Sequence, residues 1–271
     1  MMQSETSLRE KMAVRVPPAS TIPSLEGKVS PEEWQLRVDL AATYRLVALY
    51  GWDDMIFTHI SARIPGPEHH FLINPYGLLF DEITASSLVK IDMDGKKVEE
   101  TPYPVNPAGF TIHSAIHMNR DDAHCVIHLH STDGVAVSAQ ADGLLPLDQH
   151  AMMLLGDIAY HDYEGVALDL DERERLVHDI GQKHVMMLRN HGTLTVGQTC
   201  ADAFLRMFFL ERACSMQTRA IGGGAKPNWP NQGVPEKTAQ QGAMGLDGVI
   251  SALAWPALLR KLDRTDPSYK N

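Results

Sequence analysis

The sequence predicts an α/β sandwich built around a mainly antiparallel sheet. Short apolar runs such as Ile60 to Ile64, Phe71 to Ile73, Cys125 to Leu129 and Val185 to Leu188 have the length and composition of strands. They do not alternate regularly with helical patterns, as the strands of a parallel sheet would. With 271 residues, 44% of them apolar, the chain can bury a substantial core, and one large domain is the simplest arrangement.

Residues 1–28 carry Pro17, Pro18 and Pro23 among polar residues without periodicity, and read as a flexible arm. Ser30-Pro31-Glu32-Glu33 opens a helix, with a capping serine, a proline at the first helical position and a glutamate three residues after the cap. Leu36, Leu40, Tyr44 and Val47 then share one face. After Gly51 come two strands joined through Pro-Gly-Pro at 65–67, and Asp92-Met93-Asp94-Gly95 marks a further turn. A helix is expected from Asn106-Pro107 to near Asn119, holding Phe110, His113, Ile116 and His117. The strand Cys125 to His130 precedes a small-residue helix through Val135 to Ala139, and a helix over Asp171 to Ile180 precedes the strand at 185–188. The longest helix runs from about Ala201 to Ala220, with Ala203, Met207, Leu210 and Cys214 on one stripe. Gly222-Gly223-Gly224, Pro227 and Pro230 end it, and 223–271 reads as a linker and a closing helix over Gly245 to Leu262.

The net charge of −10 and pI near 5.7 supply no basic footprint for nucleic acid or an anionic membrane surface. No apolar run approaches the roughly 20 residues of a membrane span, and the N-terminus lacks the apolar core of a secretory signal, so a cytoplasmic location is expected. Cys125, Cys200 and Cys214 are odd in number, far apart and set in apolar sequence, which suits reduced core residues better than a disulfide framework.

The 13 histidines carry the chemistry. On a strand, His128 and His130 project to one side and Leu129 to the other, a geometry that suits two imidazoles on one metal ion and equally two satisfied histidines at a strand end. Arg189-Asn190-His191-Gly192 follows a second apolar strand, at a turn where ligands often sit. Three neutral imidazoles with an open fourth position describe a catalytic metal site, since structural zinc sites are closed and usually contain cysteine. Imidazole suits zinc first, with manganese, iron, cobalt and nickel as alternatives, so a divalent metal, zinc foremost, is the expected cofactor. His113 and His117, four apart on one helical face, are either groups behind the site or helix surface and packing residues.

Three stretches together resemble the class II aldolase/adducin family: Thr58-His59-Ile60-Ser61-Ala62-Arg63, Ile73-Asn74-Pro75-Tyr76-Gly77, and Val126 to Ser131 with Leu188 to Val196. Segments such as Pro75 to Leu79, Thr84 to Lys90, Ala108 to Ile116 and Tyr160 to Tyr163 look more like the adducin head than the sugar-phosphate aldolases. The resemblance covers roughly 30–222 and implies a domain over 29–222 with a three-layer α/β/α fold. In the family's aldolases, histidines matching His128, His130 and His191 hold a zinc ion that polarises a ketose carbonyl. The resemblance also implies a homo-oligomer, a tetramer foremost, with sites near subunit boundaries.

The family's acid/base glutamate corresponds to Gly109, which cannot move a proton. Two phosphate-binding serines correspond to Pro107 and Ala108, and an asparagine of the same pocket to His59. A sugar phosphate is therefore not the expected substrate, although Tyr76-Gly77 keeps part of the loop. His150, in Pro146-Leu147-Asp148-Gln149-His150, is the candidate acid/base and equally a candidate core histidine. His59, Asn74, Tyr76, Gly77 and Gln149 are the candidate substrate contacts. Loss of a carboxylate beside a carbonyl needs an electron sink more than a strong base, which a metal provides. The expectation is a metal-dependent carbon–carbon lyase, decarboxylase ahead of aldolase, acting on a small oxy-acid or aromatic acid. The alternatives are a non-catalytic adducin-like interaction module, or an epimerase or dehydratase of the same family.

Overall fold

The structure is a computed structural model and describes residues 16–165, 171–246 and 248–271, with the side chains at 107–111, 244–246, 249 and 250 excluded. Helix α1 (Pro31–Tyr50) begins where expected, with the Ser30 hydroxyl accepting from the Glu33 amide at 3.1 Å. The Glu33 side chain does not complete a capping box. It is buried, and its carboxylate accepts from Arg37 and Lys90.

Seven strands follow in one sheet: β1 (His59–Arg63), β2 (Phe71–Ile73), β3 (Val89–Ile91), β4 (Cys125–Leu129), β5 (Ile158–His161), β6 (Val185–Leu188) and β7 (Gly192–Gly197). Their order is β3-β2-β1-β4-β7-β6-β5. Among the described residues only β5 and β6 pair in parallel. The helices are α2 (Pro107–Asn119), α3 (Thr132–Ser138), α4 (Gln149–Leu154), α5 (Glu172–Ile180), α6 (Cys200–Ile221), α7 (Val234–Leu246) and α8 (Val249–Thr265).

The sheet separates two cores, as the three-layer expectation requires. Ile112 and Ile116 of α2 and Leu176 and Ile180 of α5 cover one face together with Val126, Met186, Leu194 and Val196. On the other, larger face, Leu40, Tyr44 and Val47 of α1 and Phe204, Met207 and Leu210 of α6 pack with Ile60, Ile127 and Leu129. Strand alternation therefore turns Ile127 and Leu129 into the large core, and Val126 and His128 toward α2. The three cysteines are free and buried. No described helix is long and apolar enough to cross a membrane.

Two expectations need correction and one open alternative is decided. The part of the proposed arm within the described residues, 16–28, lies against the domain: Ala19 is buried in the large core and the Leu25 amide donates to Ser86 Oγ at 3.0 Å. Residues 1–15 lie outside the described residues. Val234–Leu246, read as linker, is a helix that packs on α4, and its amphipathic face was hidden by the glycines and prolines before it. Of the readings left open for His113 and His117, exposures of 3% and 2% leave interior groups and exclude helix surface.

Candidate metal centre

Strand register gathers the histidines on one rim of the sheet. His59 opens β1 opposite His128 near the end of β4. Because Ser61 pairs with Ile73, the Asn74 to Gly77 loop leaves β2 at that same rim. Leu129 pairs with Thr193, so His130, just past β4, meets the start of β7. His191 is the last residue of the short turn from β6 to β7, its amide bonded to Leu188 O at 3.1 Å, with Asn190 in the left-handed region at φ 57°. Gly192 lets the two strand ends close: a Cβ there would lie 2.3 Å from Leu129 O and 3.2 Å from the His130 ring.

The His128, His130 and His191 rings stand with centroids 4.8 Å apart in all three pairs. One nitrogen from each lies within 4.8 Å of the others, so this trio could hold a metal ion. The outward nitrogens are assigned by what bonds the inward ones. The Thr193 carbonyl can only accept, so His128 Nδ1 donates to it at 3.0 Å. His130 Nδ1 donates to the Asp54 carboxylate at 3.1 Å. In the neutral rings both Nε2 atoms are then bare lone pairs, and they face each other at 3.1 Å. Two unshared lone pairs at that distance repel unless a cation or a proton lies between them. Burial opposes the proton: it holds the His128 pKa well below its ordinary value, with the neighbouring His191 and His130 adding to the effect. His191 is pushed down to about 4, by burial first and then by His130 and His161. Imidazoles oriented by a carboxylate and a carbonyl are the donor set of a divalent transition-metal site, so these residues fit a cation.

Ser131 and Thr193, on the two histidine-bearing segments, are tied together from behind by Glu211 of α6. The Glu211 carboxyl lies 2.5 Å from Ser131 Oγ and 3.0 Å from Thr193 Oγ1, and burial raises its pKa to about 7.

The other predicted residues are scattered along and behind the rim. His59 is buried, its ring 5.5 Å from that of His128 and its Nδ1 3.0 Å from His113 Nε2. Asn74 is buried against Tyr44, whose hydroxyl lies 3.0 Å from Asn74 Oδ1 and also bonds Ile60 N at 2.7 Å. Asn74 Nδ2 has no partner among the described residues. The Tyr76 amide is held by Pro104 O, and Gly77, at φ 108°, has no room for a Cβ because Val16 would lie 2.8 Å from it. Gln149 is exposed at the start of α4. His150 lies beside it, its Nδ1 3.3 Å from Asp148 and its ring 5.0 Å from that of Phe209. Neither contact joins it to the three imidazoles.

Sequence reasoning missed Asp54, the Thr193 carbonyl, Glu211, and Tyr163, an exposed ring 6.0 Å from His191. Asp54 sits in a tight loop where Phe57 N bonds Asp54 O and Met55 and Thr58 both take positive φ. The Asp53-Asp54 pair could have been flagged only as acidic residues near the first histidine, and a carbonyl leaves no mark in a sequence.

Residues 38–218 match the family described as Class II Aldolase and Adducin N-terminal domain. An aldolase class 2 protein of Caulobacter vibrioides, named for its family and not for a reaction, is 64% identical over 247 residues, 91% of this chain and 96% of that protein. Alpha-adducin of Mus musculus is 45% identical over 196 residues, 71% of this chain but 26% of the adducin. The solved structure of an L-fuculose 1-phosphate aldolase from Glaciozyma antarctica superposes with a TM-score of 0.75 at 27% identity, covering 95% of this chain and 98% of that one.

Proposed function

Because the chain belongs to the class II aldolase and adducin family, we propose that it is a metal-dependent carbon–carbon lyase, with His128, His130 and His191 as ligands of a divalent cation, zinc foremost. The reading rests on one observation: two bare imidazole nitrogens 3.1 Å apart, with a third imidazole completing the set. When bound, the cation supplies a Lewis acid that takes up the electron pair left on the substrate as the carbon–carbon bond breaks. The chain's own part is to hold the ligands. Asp54 and the Thr193 carbonyl fix two ring orientations, and Glu211 fixes the segments that carry them.

The substrate in this reading is a small oxy-acid or aromatic acid, with decarboxylation ahead of aldol cleavage. Support comes from Gly109, which offers no acid/base side chain, and from the rim, where burial holds the pKa values of His59, His128 and His191 down and no cationic group is positioned for a phosphate among the described contacts. The protein acts as a homo-oligomer, a tetramer foremost. His150 stays its candidate acid/base and the exposed Gln149 a candidate substrate contact, with no described contact joining either to the triad.

Elemental analysis of the purified protein, with carbon dioxide release followed across small oxy-acids and aromatic acids, tests the proposal. Metal present in wild type and absent in His128→Ala, with turnover following the metal, is the expected result. Metal content unchanged by that substitution overturns it. The likeness to alpha-adducin favours one rival, a non-catalytic interaction module. Bound metal with no turnover on any of these acids would decide for the rival.

A further inference from the structure

Behind the rim, a chain of buried hydrogen bonds has only one self-consistent direction. The Ala123 carbonyl can only accept, so His117 donates to it through Nδ1 at 2.7 Å. Neutral His117 then presents a bare Nε2, and Ser61, 2.7 Å away, spends its one hydroxyl proton there. Ser61 Oγ must therefore accept from His113 Nδ1, at 2.5 Å. That leaves His113 Nε2 bare and makes His59 the donor, through Nδ1 at 3.0 Å. The three rings are each no more than 3% exposed and none bonds a carboxylate among the described residues, so a proton added to any of them is a buried charge without a described counter-ion. Phe71 stacks on His117 with centroids 4.7 Å apart and helps to exclude water from that end.

The far end of the chain is a carbonyl, which has no proton to give. The chain consequently cannot conduct protons to solvent; what it can do is set an orientation. Its near end is His59, whose Nε2 is left as a lone pair with no partner among the described residues, on a ring beside that of His128.

We propose that the series Ala123, His117, Ser61 and His113 presets His59 as a hydrogen-bond acceptor beside the three-histidine centre, selecting a small oxy-acid that carries an additional hydroxyl next to its metal-binding group. Ligand selection rests on the metal-centre reading above; the preset acceptor does not. An anionic phosphate or carboxylate at that spot meets a lone pair and is disfavoured, whereas a hydroxyl donates to it.

Two measurements on the full-length protein test this. Nitrogen-15 NMR of histidine-labelled protein reads the tautomers directly. His59, His113 and His117 are expected as Nδ1–H forms, and His59 observed as Nε2–H overturns the proposal. Calorimetry on zinc-loaded protein then compares glycerate with lactate, which lacks only the C3 hydroxyl. Wild type is expected to favour glycerate by about tenfold, the worth of one well-formed hydrogen bond. The preference collapses in His59→Phe and shrinks in Ser61→Ala. Equal binding by wild type, or a preference that survives His59→Phe, overturns the selection. Protein that takes up no zinc yet shows three Nδ1–H tautomers sinks the metal reading and upholds the preset acceptor.

Discussion

His128 Nε2 and His130 Nε2 lie 3.1 Å apart while both Nδ1 atoms are committed as donors, so the pair has acceptors on both sides of a gap and no donor within it. An ion in that gap stabilises the fold by its binding free energy. Stripping the protein with a chelator is expected to lower the melting temperature, and added zinc to restore it, rising with the logarithm of concentration once the site is saturated. His128→Ala abolishes that zinc response. A melting temperature indifferent to both chelator and zinc would count against the site.

Asp54 accepts from His130 Nδ1 at 3.1 Å, from a loop with no other tie to the triad in the described contacts. Partners of this kind orient the ligand and raise its basicity, and their loss typically weakens metal binding by about 10- to 100-fold. Asp54→Ala is expected to fall in that range when zinc affinity is measured by competition with a chromophoric chelator. Because the carboxylate is partly exposed, global stability should change little. A large loss of stability with unchanged affinity would mean that Asp54 only props its loop.

Gly192 sets how closely β4 and β7 approach at the histidine-bearing end. In Gly192→Ala the new Cβ would lie 2.3 Å from Leu129 O, a backbone atom that cannot swing aside. The strand ends must part, and the expected cost is about 3 kcal/mol or more in urea unfolding, together with loss of tight zinc binding. Wild-type affinity in this variant would show that the rim tolerates separation.

Much of this architecture could be read from periodicity and caps. The Ser30 cap, the helix opening at Pro107 and the alternation of His128, Leu129 and His130 each depend on local rules that strand and helix geometry enforce. The short strands β3 and β5 and the helices α4 and α7 were not foreseen, because three to six residues carry little periodic signal and α7 follows a run of glycine and proline. At the site, the imidazoles were visible by residue type. Asp54 and Glu211 reach it across 76 and 80 residues of chain, and the orientation of His128 depends on a carbonyl 65 residues away. Such long-range partners are set by register, which a single sequence does not display. His113 and His117 show the same limit: their spacing placed them on one helical face, but only the sheet packed against α2 makes that face interior.

Acid stability separates two opposed groups in the metal-free protein. Burial pushes His117 from 6.5 down to about 3, so between those values the unfolded chain binds a proton that the native state refuses. Stability therefore rises with pH across that window, by about 1.4 kcal/mol per pH unit for this histidine. Glu211 is raised from 4.5 to about 7, so between those values the native state holds a proton that the unfolded chain has lost, and stability falls as pH rises. Where the windows overlap, from 4.5 to 6.5, the two slopes oppose each other. His59 and His191, lowered to about 3 and about 4, tip the sum toward greater stability at higher pH. Urea unfolding midpoints at several pH values in this range, with chelator present, expose each part. His117→Gln is expected to flatten the rise by about 1.4 kcal/mol per pH unit and Glu211→Gln to steepen it by a similar amount. Parallel profiles for the two variants and wild type would show that neither group changes its proton affinity on folding, and that the buried chain and the Glu211 tie carry no such electrostatic cost.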